Sequence, residues 1–318
     1  MRVPLPPISI LIPNYNGAHL LIKNLPSVIE ASKAYPSHVD LIVVDDGSAD
    51  NSLTILSTNF PEIKVVAHAE NKGFSEAIFS GVQAAETEVM FLLNTDVQIN
   101  ADCLKVLAGY FADLGVFSVS PLILNENEVV SRHSWNRREF KFGKFSALDW
   151  ELTKAQSIRK QQKLPALYTS GGSMMVRKSM FMQLKGFHPL YKPFYSEDFD
   201  LGLRAWRRGW PSYFEPNVSV VHQSKGSIKE NVKRAYVKQV RRRNHYILEW
   251  SHIPVTRLFT SVFLYTAWKL LGEIILLDKT NLKGFITALP RIKEIVRFRL
   301  ELKSTEVYGL DEVLEKLK

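Results

Sequence analysis

Across the N-terminal third of the chain, short apolar runs rich in β-branched residues alternate with stretches of helical period. Ile8 to Ile12, Leu41 to Asp45, Ile63 to Ala67, Val89 to Leu93 and Val116 to Ser120 read as strands. Between them, Leu21, Leu25, Val28 and Ile29 share one helical face, and Phe74, Ala77, Ile78, Gly81, Val82 and Ala85 follow the i, i+3, i+4, i+7 spacing. This βαβα order predicts an α/β fold built on a mostly parallel sheet flanked by helices.

Polar clusters follow three of these strands: Asn14-Tyr15-Asn16, Asp45-Asp46-Gly47-Ser48 and Asn94-Thr95-Asp96. Ligands of open α/β sheets bind outside the carboxyl ends of the strands, so three clusters there point to one crevice. Any one of them reads equally well as turn and cap residues. From Asn125 to Pro165 the chain loses periodicity and becomes basic and aromatic, with Trp135, Arg137, Arg138, Phe140, Phe142 and Trp150. That region is either an acceptor-facing loop or a variable surface insertion. Gly171-Gly172-Ser173 leads into Met174-Met175-Val176, and Tyr195 to Arg208 has the acidic start and basic end of a helix. A later set of strands is expected to end at Val220-Val221-His222.

The C-terminal third differs. Between Lys225 and Arg243 eight Lys or Arg face one acid, Glu230, a pattern that is either an anion-binding surface or a solvated helix face. Leu258 to Leu277 is apolar except for a stripe that includes Thr266, Lys269 and Glu273. Its length approaches the roughly 20 residues of a membrane-spanning helix, but a central Lys and Glu are costly in lipid, and an in-plane amphipathic helix fits better. The expected division is a catalytic domain over residues 1–225 and a basic, amphipathic helical appendage over 226–318.

Composition narrows the class. With 46% hydrophobic and 23% charged residues, the 318-residue chain is neither disordered nor collagen-like. The single cysteine, Cys103, allows no internal disulfide and no Cys-based zinc site, so a reducing, cytoplasmic setting is expected. The segment Met1 to Pro7 lacks signal-peptide features, and the chain is expected to begin in its own fold. A net charge of +9 calls for an anionic partner: nucleic acid, a phosphate-rich ligand or an acidic membrane face.

No Walker A loop, no G-x-G-x-x-G after the first strand and no nucleophile elbow occur, which argues against a kinase, a dehydrogenase and an α/β-hydrolase. What remains is an α/β crevice with Asp96, the run Glu197-Asp198-Phe199-Asp200 and His222. Carboxylate with imidazole can hold Mn²⁺ or Mg²⁺ against a diphosphate, while a free carboxylate takes a proton from an attacking hydroxyl. That is group transfer from a nucleotide diphosphate.

These residues resemble the family 2 glycosyltransferases with the A-type nucleotide-sugar-binding fold, particularly their rhamnosyltransferase-like bacterial members. The resemblance rests on Ile10 to Asn16, Val43 to Asp50, Asn71-Lys72-Gly73-Phe74, Leu92 to Asp96, Gly171-Gly172 and Glu197 to Leu201, in that order over about residues 8–222. It implies a donor site formed by Pro13, Asn14, Tyr15, Asp46, Lys72, Gly73, Asn94, Thr95 and Asp96, with Tyr15 on the nucleotide base and Asp46 accepting a uracil or thymine imide N–H. It also implies metal ligation by Asp96 and His222, acceptor contacts at Gly172, Glu197 and Asp200, and Asp198 as the general base of a single inverting displacement. Asn94 replaces the first carboxylate of the family's Asp-x-Asp motif. Gln239 is followed by Arg242 and Arg243 where processive members carry Arg-Trp, so addition of one sugar is expected.

The expected activity is therefore transfer of a sugar from a UDP- or dTDP-sugar to a hydroxyl of a glycan or lipid-linked acceptor. The expected location is cytoplasmic, peripheral at the inner face of the cytoplasmic membrane, with an anionic membrane surface and not nucleic acid as partner. Two alternatives stand beside it: a sugar nucleotidyltransferase, which would normally carry a Gly-rich basic loop after the first strand, and a non-enzymatic binder of anionic lipid or nucleic acid.

Overall fold

The structure is a computed structural model that describes residues 4–223, 233–276 and 279–318. Lys225, Lys229, Glu230, Leu277 and the expected domain boundary at 225/226 lie outside the described residues.

The elements in chain order are β1 Ile8–Asn14, α1 Ala18–Ala34, β2 Val39–Asp45, α2 Ser52–Asn59, β3 Lys64–Ala67, α3 Phe74–Ala84, β4 Val89–Leu93, β5 Val97–Ile99, α4 Ala101–Ala108 and β6 Ser118–Leu124. They continue with β7 Arg138–Lys141, β8 Lys144–Ala147, α5 Leu152–Arg159, β9 Leu164–Ala166, β10 Ser173–Arg177, α6 Lys178–Gln183, α7 Glu197–Arg207 and β11 Ser212–His222. Helices over Arg234–His252, residues 255–276, Thr280–Ala288, Ile292–Thr305 and Leu310–Glu315 follow among the described residues.

Nine strands form the central sheet, in the order β3-β2-β1-β4-β10-β6-β11-β5 with β9 beside β11. Because side chains alternate across a strand, Ile8, Ile10 and Ile12 of β1 enter one apolar layer with Leu21, Leu25 and Val28 of α1, while Leu11 enters the opposite layer with Ala77, Ile78 and Val82 of α3. The sheet is thus covered by helices on both faces, as the periodicity predicts. The expected parallel character holds in the β3-β2-β1-β4 half. Beyond it, β10 runs antiparallel to β4 and β6, and β5 and β9 run antiparallel to β11, which makes the sheet mixed.

The Asn125 to Pro165 region is not a plain loop. It folds into the β7–β8 hairpin, α5 and the start of β9, and Trp135 and Trp150 pack on Phe214 of β11. Its elements are too short for periodicity to register.

The C-terminal helices share a core with α7. Phe199, Leu203 and Trp206 cluster with Tyr246, Ile247, Ile253, Ile295, Phe298 and Leu310. Arg207 of α7 pairs with Glu306 and donates to the His252 carbonyl, 2.7 Å away. The stripe Thr266, Lys269 and Glu273 faces this body rather than water: Thr266 and Glu273 are buried.

Candidate active site

Sheet register assembles the site. Asn14 lies opposite Asp45 in the β1–β2 pairing, and Ala67 lies opposite Asp45 in β2–β3, so the ends of the first three strands coincide. Ser173 pairs with Leu93, which sets Gly172 beside Asn94; the Asn94 N–H donates to the Gly172 carbonyl at 2.9 Å. His222 pairs with Val97, the residue after Asp96.

The first two polar clusters interlock. Asp45 is wholly buried and accepts from Asn14 Nδ2 (2.8 Å), Ser48 Oγ (2.7 Å) and the Ser48 N–H (3.0 Å). The Asn16 N–H donates to Ser48 Oγ at 2.9 Å, and Asn16 Oδ1 accepts from the Ala49 N–H at 2.8 Å. This lattice holds Tyr15 outward at 38% exposure, as an open ring beside the crevice. Asp46 is buried and accepts from the Lys72 and Gly73 N–H groups at 2.9 and 2.7 Å and pairs with His68 Nδ1 at 2.7 Å. A carboxylate has four acceptor positions, so one on Oδ2 is left for a ligand. Lys72 is exposed beside it.

Asp96 sits on the turn between β4 and β5. Its Oδ2 lies 3.2 Å from His222 Nε2, and its Oδ1 is buried with no hydrogen-bond partner among the described residues. An orphaned buried carboxylate oxygen beside an imidazole suits a divalent cation, and these two residues would hold it. No cluster of three or more His, Cys, Asp or Glu suited to a metal occurs among the described residues, so the remaining ligands would come from diphosphate and water. The turn is clamped from behind by Asn24 of α1, whose Nδ2 donates to the Thr95 carbonyl at 2.7 Å and whose Oδ1 accepts from Gln223 Nε2 at 2.8 Å.

Gly171-Gly172 joins this half to the other. A Cβ on Gly172 would stand 2.8 Å from Asn94 Nδ2, so any larger residue there would push the Asn94 amide from its place. The Gly171 N–H reaches Asp198 Oδ2 at 3.4 Å, a long contact. Asp198 also accepts from the Phe199 N–H at 2.8 Å. Burial raises the Asp198 pKa, against which the backbone donors and the nearby Arg138 guanidinium act. The adjacent Glu197 is raised by burial first and by Asp198 second, and its Oε2 has no partner among the described residues.

Asp200 requires a correction. It is wholly buried, pairing with Arg204 Nε at 2.7 Å and accepting from His252 Nε2 at 2.8 Å and Tyr191 Oη at 3.2 Å. Burial alone would raise its pKa, yet Arg204 and His252 outweigh it and hold the carboxyl at about 2. Asp200 ties α7 to the C-terminal helices and cannot meet an acceptor.

Sequence reasoning overlooked several residues. The expected helix from Tyr195 starts only at Glu197, because Tyr195 and Ser196 both adopt φ +73. Asn244, wholly buried, spans this turn: its Nδ2 donates to the carbonyls of Tyr191 (2.6 Å), Phe194 (2.9 Å) and Tyr195 (2.9 Å). Arg241, a turn earlier, stacks 4.3 Å from the Tyr195 ring centroid. His133 is held below the ordinary histidine range by desolvation first and then by Arg138 and Arg241. Two surface cavities, of about 550 and 640 Å³, are lined by none of the motif residues.

Residues 9–185, more than half of the chain, match the family described as Glycosyl transferase family 2. Polypeptide N-acetylgalactosaminyltransferase 16 of Mus musculus is 24% identical over 229 residues, covering 69% of this chain and 40% of its own length. N-acetylglucosaminyl-diphospho-decaprenol L-rhamnosyltransferase of Mycobacterium tuberculosis is 25% identical over 206 residues, covering 58% of this chain and 66% of its own. The chain thus spans well under half of the first relative and about two-thirds of the second. Among solved structures, GalNAc-T7 with UDP, GalNAc and Mn²⁺ superposes with a TM-score of 0.63 at 16% identity over 93% of this chain and 57% of that one. The mannosyltransferase PcManGT from Pyrobaculum calidifontis with GDP-Man and Mn²⁺ gives 0.55 at 14% identity over 98% and 84%.

Proposed function

The chain belongs to glycosyl transferase family 2, and from that premise we propose that it moves one sugar from a UDP- or dTDP-sugar to a hydroxyl of a glycan or lipid-linked acceptor, inverting the anomeric centre. The observation that carries the reading is the meeting at Gly171-Gly172 of Asn94, two residues before the Asp96–His222 pair, from one side and Asp198 from the other.

In this reading Tyr15 stacks on the base and the free position of Asp46 Oδ2 accepts its imide N–H. Lys72 and the Gly73 segment flank the diphosphate, with Asn94 and Thr95 beneath the ribose. Asp96 and His222 would hold Mn²⁺ or Mg²⁺, which supplies charge neutralisation of the diphosphate leaving group. The acceptor enters past Gly172 and Glu197. Its hydroxyl oxygen bonds to the anomeric carbon as its proton passes to Asp198 and the bond from that carbon to the diphosphate oxygen breaks. Arg138 favours the charged form of Asp198 before transfer.

A peripheral position at the inner face of the cytoplasmic membrane would bring the crevice to a lipid-linked acceptor. The test is a donor screen read by nucleotide release, with and without Mn²⁺. UDP or dTDP released in step with sugar transfer supports the reading; pyrophosphate formation would make the protein a nucleotidyltransferase, and no turnover with any donor would leave it a binder.

A further inference from the structure

In the helix over residues 255–276 the polar side chains Thr266, Lys269 and Glu273 turn toward the protein and an apolar stripe turns toward solvent, while Val262 is buried and Thr256 and Thr260 are exposed. Thr266 and Glu273 are each 9% exposed, and Glu273 accepts from the backbone N–H groups of Asn281 and Leu282 at 2.9 and 3.1 Å. The Lys269 ammonium lies 5.7 Å from the Tyr246 ring centroid. Outward stand Phe259, Phe263, Leu264, Trp268, Leu271 and Ile275, between 60 and 80% exposed and, apart from the adjacent Phe263 and Leu264, spaced three or four residues apart on one stripe. A surface of this size and kind on a protein calls for a cover.

The β7–β8 hairpin extends the stripe. Its two turn residues, Phe142 and Gly143, have φ +52 and +78, a turn that ordinarily takes Asn-Gly and in which phenylalanine is strained. Phe142 is nevertheless there, 79% exposed, and a Cβ on Gly143 would stand 2.1 Å from the Ser261 carbonyl oxygen, so the tip is seated against the helix.

Charge selects the occupant. Lys141 and Lys144 flank the tip, and the one carboxylate of the helix, Glu273, is turned inward. From residue 233 to 303 the sequence has fifteen Lys or Arg against five Asp or Glu. A second copy would set the two tip lysines and this net-positive stretch of chain against themselves, whereas an anionic bilayer matches both the charge and the aromatic, apolar centre. No helix among the described residues is long and apolar enough to cross a membrane, which leaves in-plane seating for this one.

We infer that the outer face of the 255–276 helix, with the Phe142 hairpin tip, docks on an anionic lipid surface. The inference stands apart from the glycosyl-transfer reading, since vesicle binding needs neither donor nor acceptor.

The test is flotation of the full chain with vesicles of phosphatidylcholine alone or with about a third phosphatidylglycerol, at low and high salt. The wild type is expected to float with the anionic vesicles, and less at high salt. A Phe259→Ser, Phe263→Ser, Trp268→Ser triple variant, whose changes lie in solvent, should lose at least tenfold in bound fraction while keeping its unfolding midpoint. Lys141→Glu with Lys144→Glu should lower binding to anionic vesicles only. Equal flotation of wild type and triple variant would overturn the inference. So would a wild type that ignores both vesicles but elutes as a dimer that the triple variant dissociates.

Discussion

Asn244 lies 46 residues beyond Asp198 in sequence, and its replacement by alanine should impair catalysis without touching the donor. Its amide carries two protons shared among three carbonyls, one of them buried and two partly so. Losing two hydrogen bonds and leaving one buried acceptor short of a donor costs about 2–3 kcal/mol. The turn it holds keeps Tyr195 and Ser196 at φ +73, which costs on the order of 1 kcal/mol each and is released once the clamp is gone. Relaxation of that turn moves Glu197 and Asp198, which follow it directly. Asn244→Ala should therefore lower the unfolding free energy by no more than about 1 kcal/mol, the hydrogen-bond loss less the strain released, measured in urea. It should also lower kcat by at least about tenfold, with the affinity for UDP in calorimetry unchanged. Asn244→Asp, which offers the carbonyls an acceptor in place of a donor, should do no better than alanine. A variant that loses stability but keeps full kcat would refute the positioning argument.

Further outcomes follow from the same geometry. Burial raises the pKa values of Glu197 and Asp198, and repulsion from Asp198 adds to it at Glu197, so the acid limb of the pH–rate profile should lie above the ordinary carboxylate range, with activity falling as pH drops through it. Burial first, opposed by Asp200, lowers the pKa of His252 to about 4; the unfolded chain then binds the extra proton between about pH 6.5 and 4, and stability should fall by about 3 kcal/mol as pH drops through that window, read from urea midpoints. Asp96→Ala should weaken donor and Mn²⁺ binding together and His222→Ala should do so less, both by calorimetry, since the half-exposed imidazole contributes one neutral ligand and Asp96 a charge.

The sheet and its crevice were legible because both rest on local pattern. Strand alternation and helix period mark β1 to β4 and α3, and the polar residues at the strand ends announce where a ligand sits. The Asp198 segment was legible as an acidic helix start, but nothing in Glu197-Asp198-Phe199-Asp200 tells which carboxylate turns inward. Asp200 is set by Arg204, Tyr191 and His252, the last 52 residues away. The clamps made by Asn24, His68 and Asn244 have no local signature either, because each joins segments far apart in sequence. The 255–276 stripe shows a different limit: period reveals that polar and apolar faces separate, not which of them meets the protein.

The central claim is that Asp198 takes the acceptor proton, and replacing it with asparagine tests this most directly, because size and one of the two backbone N–H contacts are kept while proton acceptance is lost. Initial rates with a donor found in the nucleotide-release screen, together with UDP affinity, are the quantities to measure on Asp198→Asn. The expected result is a kcat at least about a hundredfold below wild type with nucleotide affinity unchanged. A near-wild-type kcat would contradict the assignment.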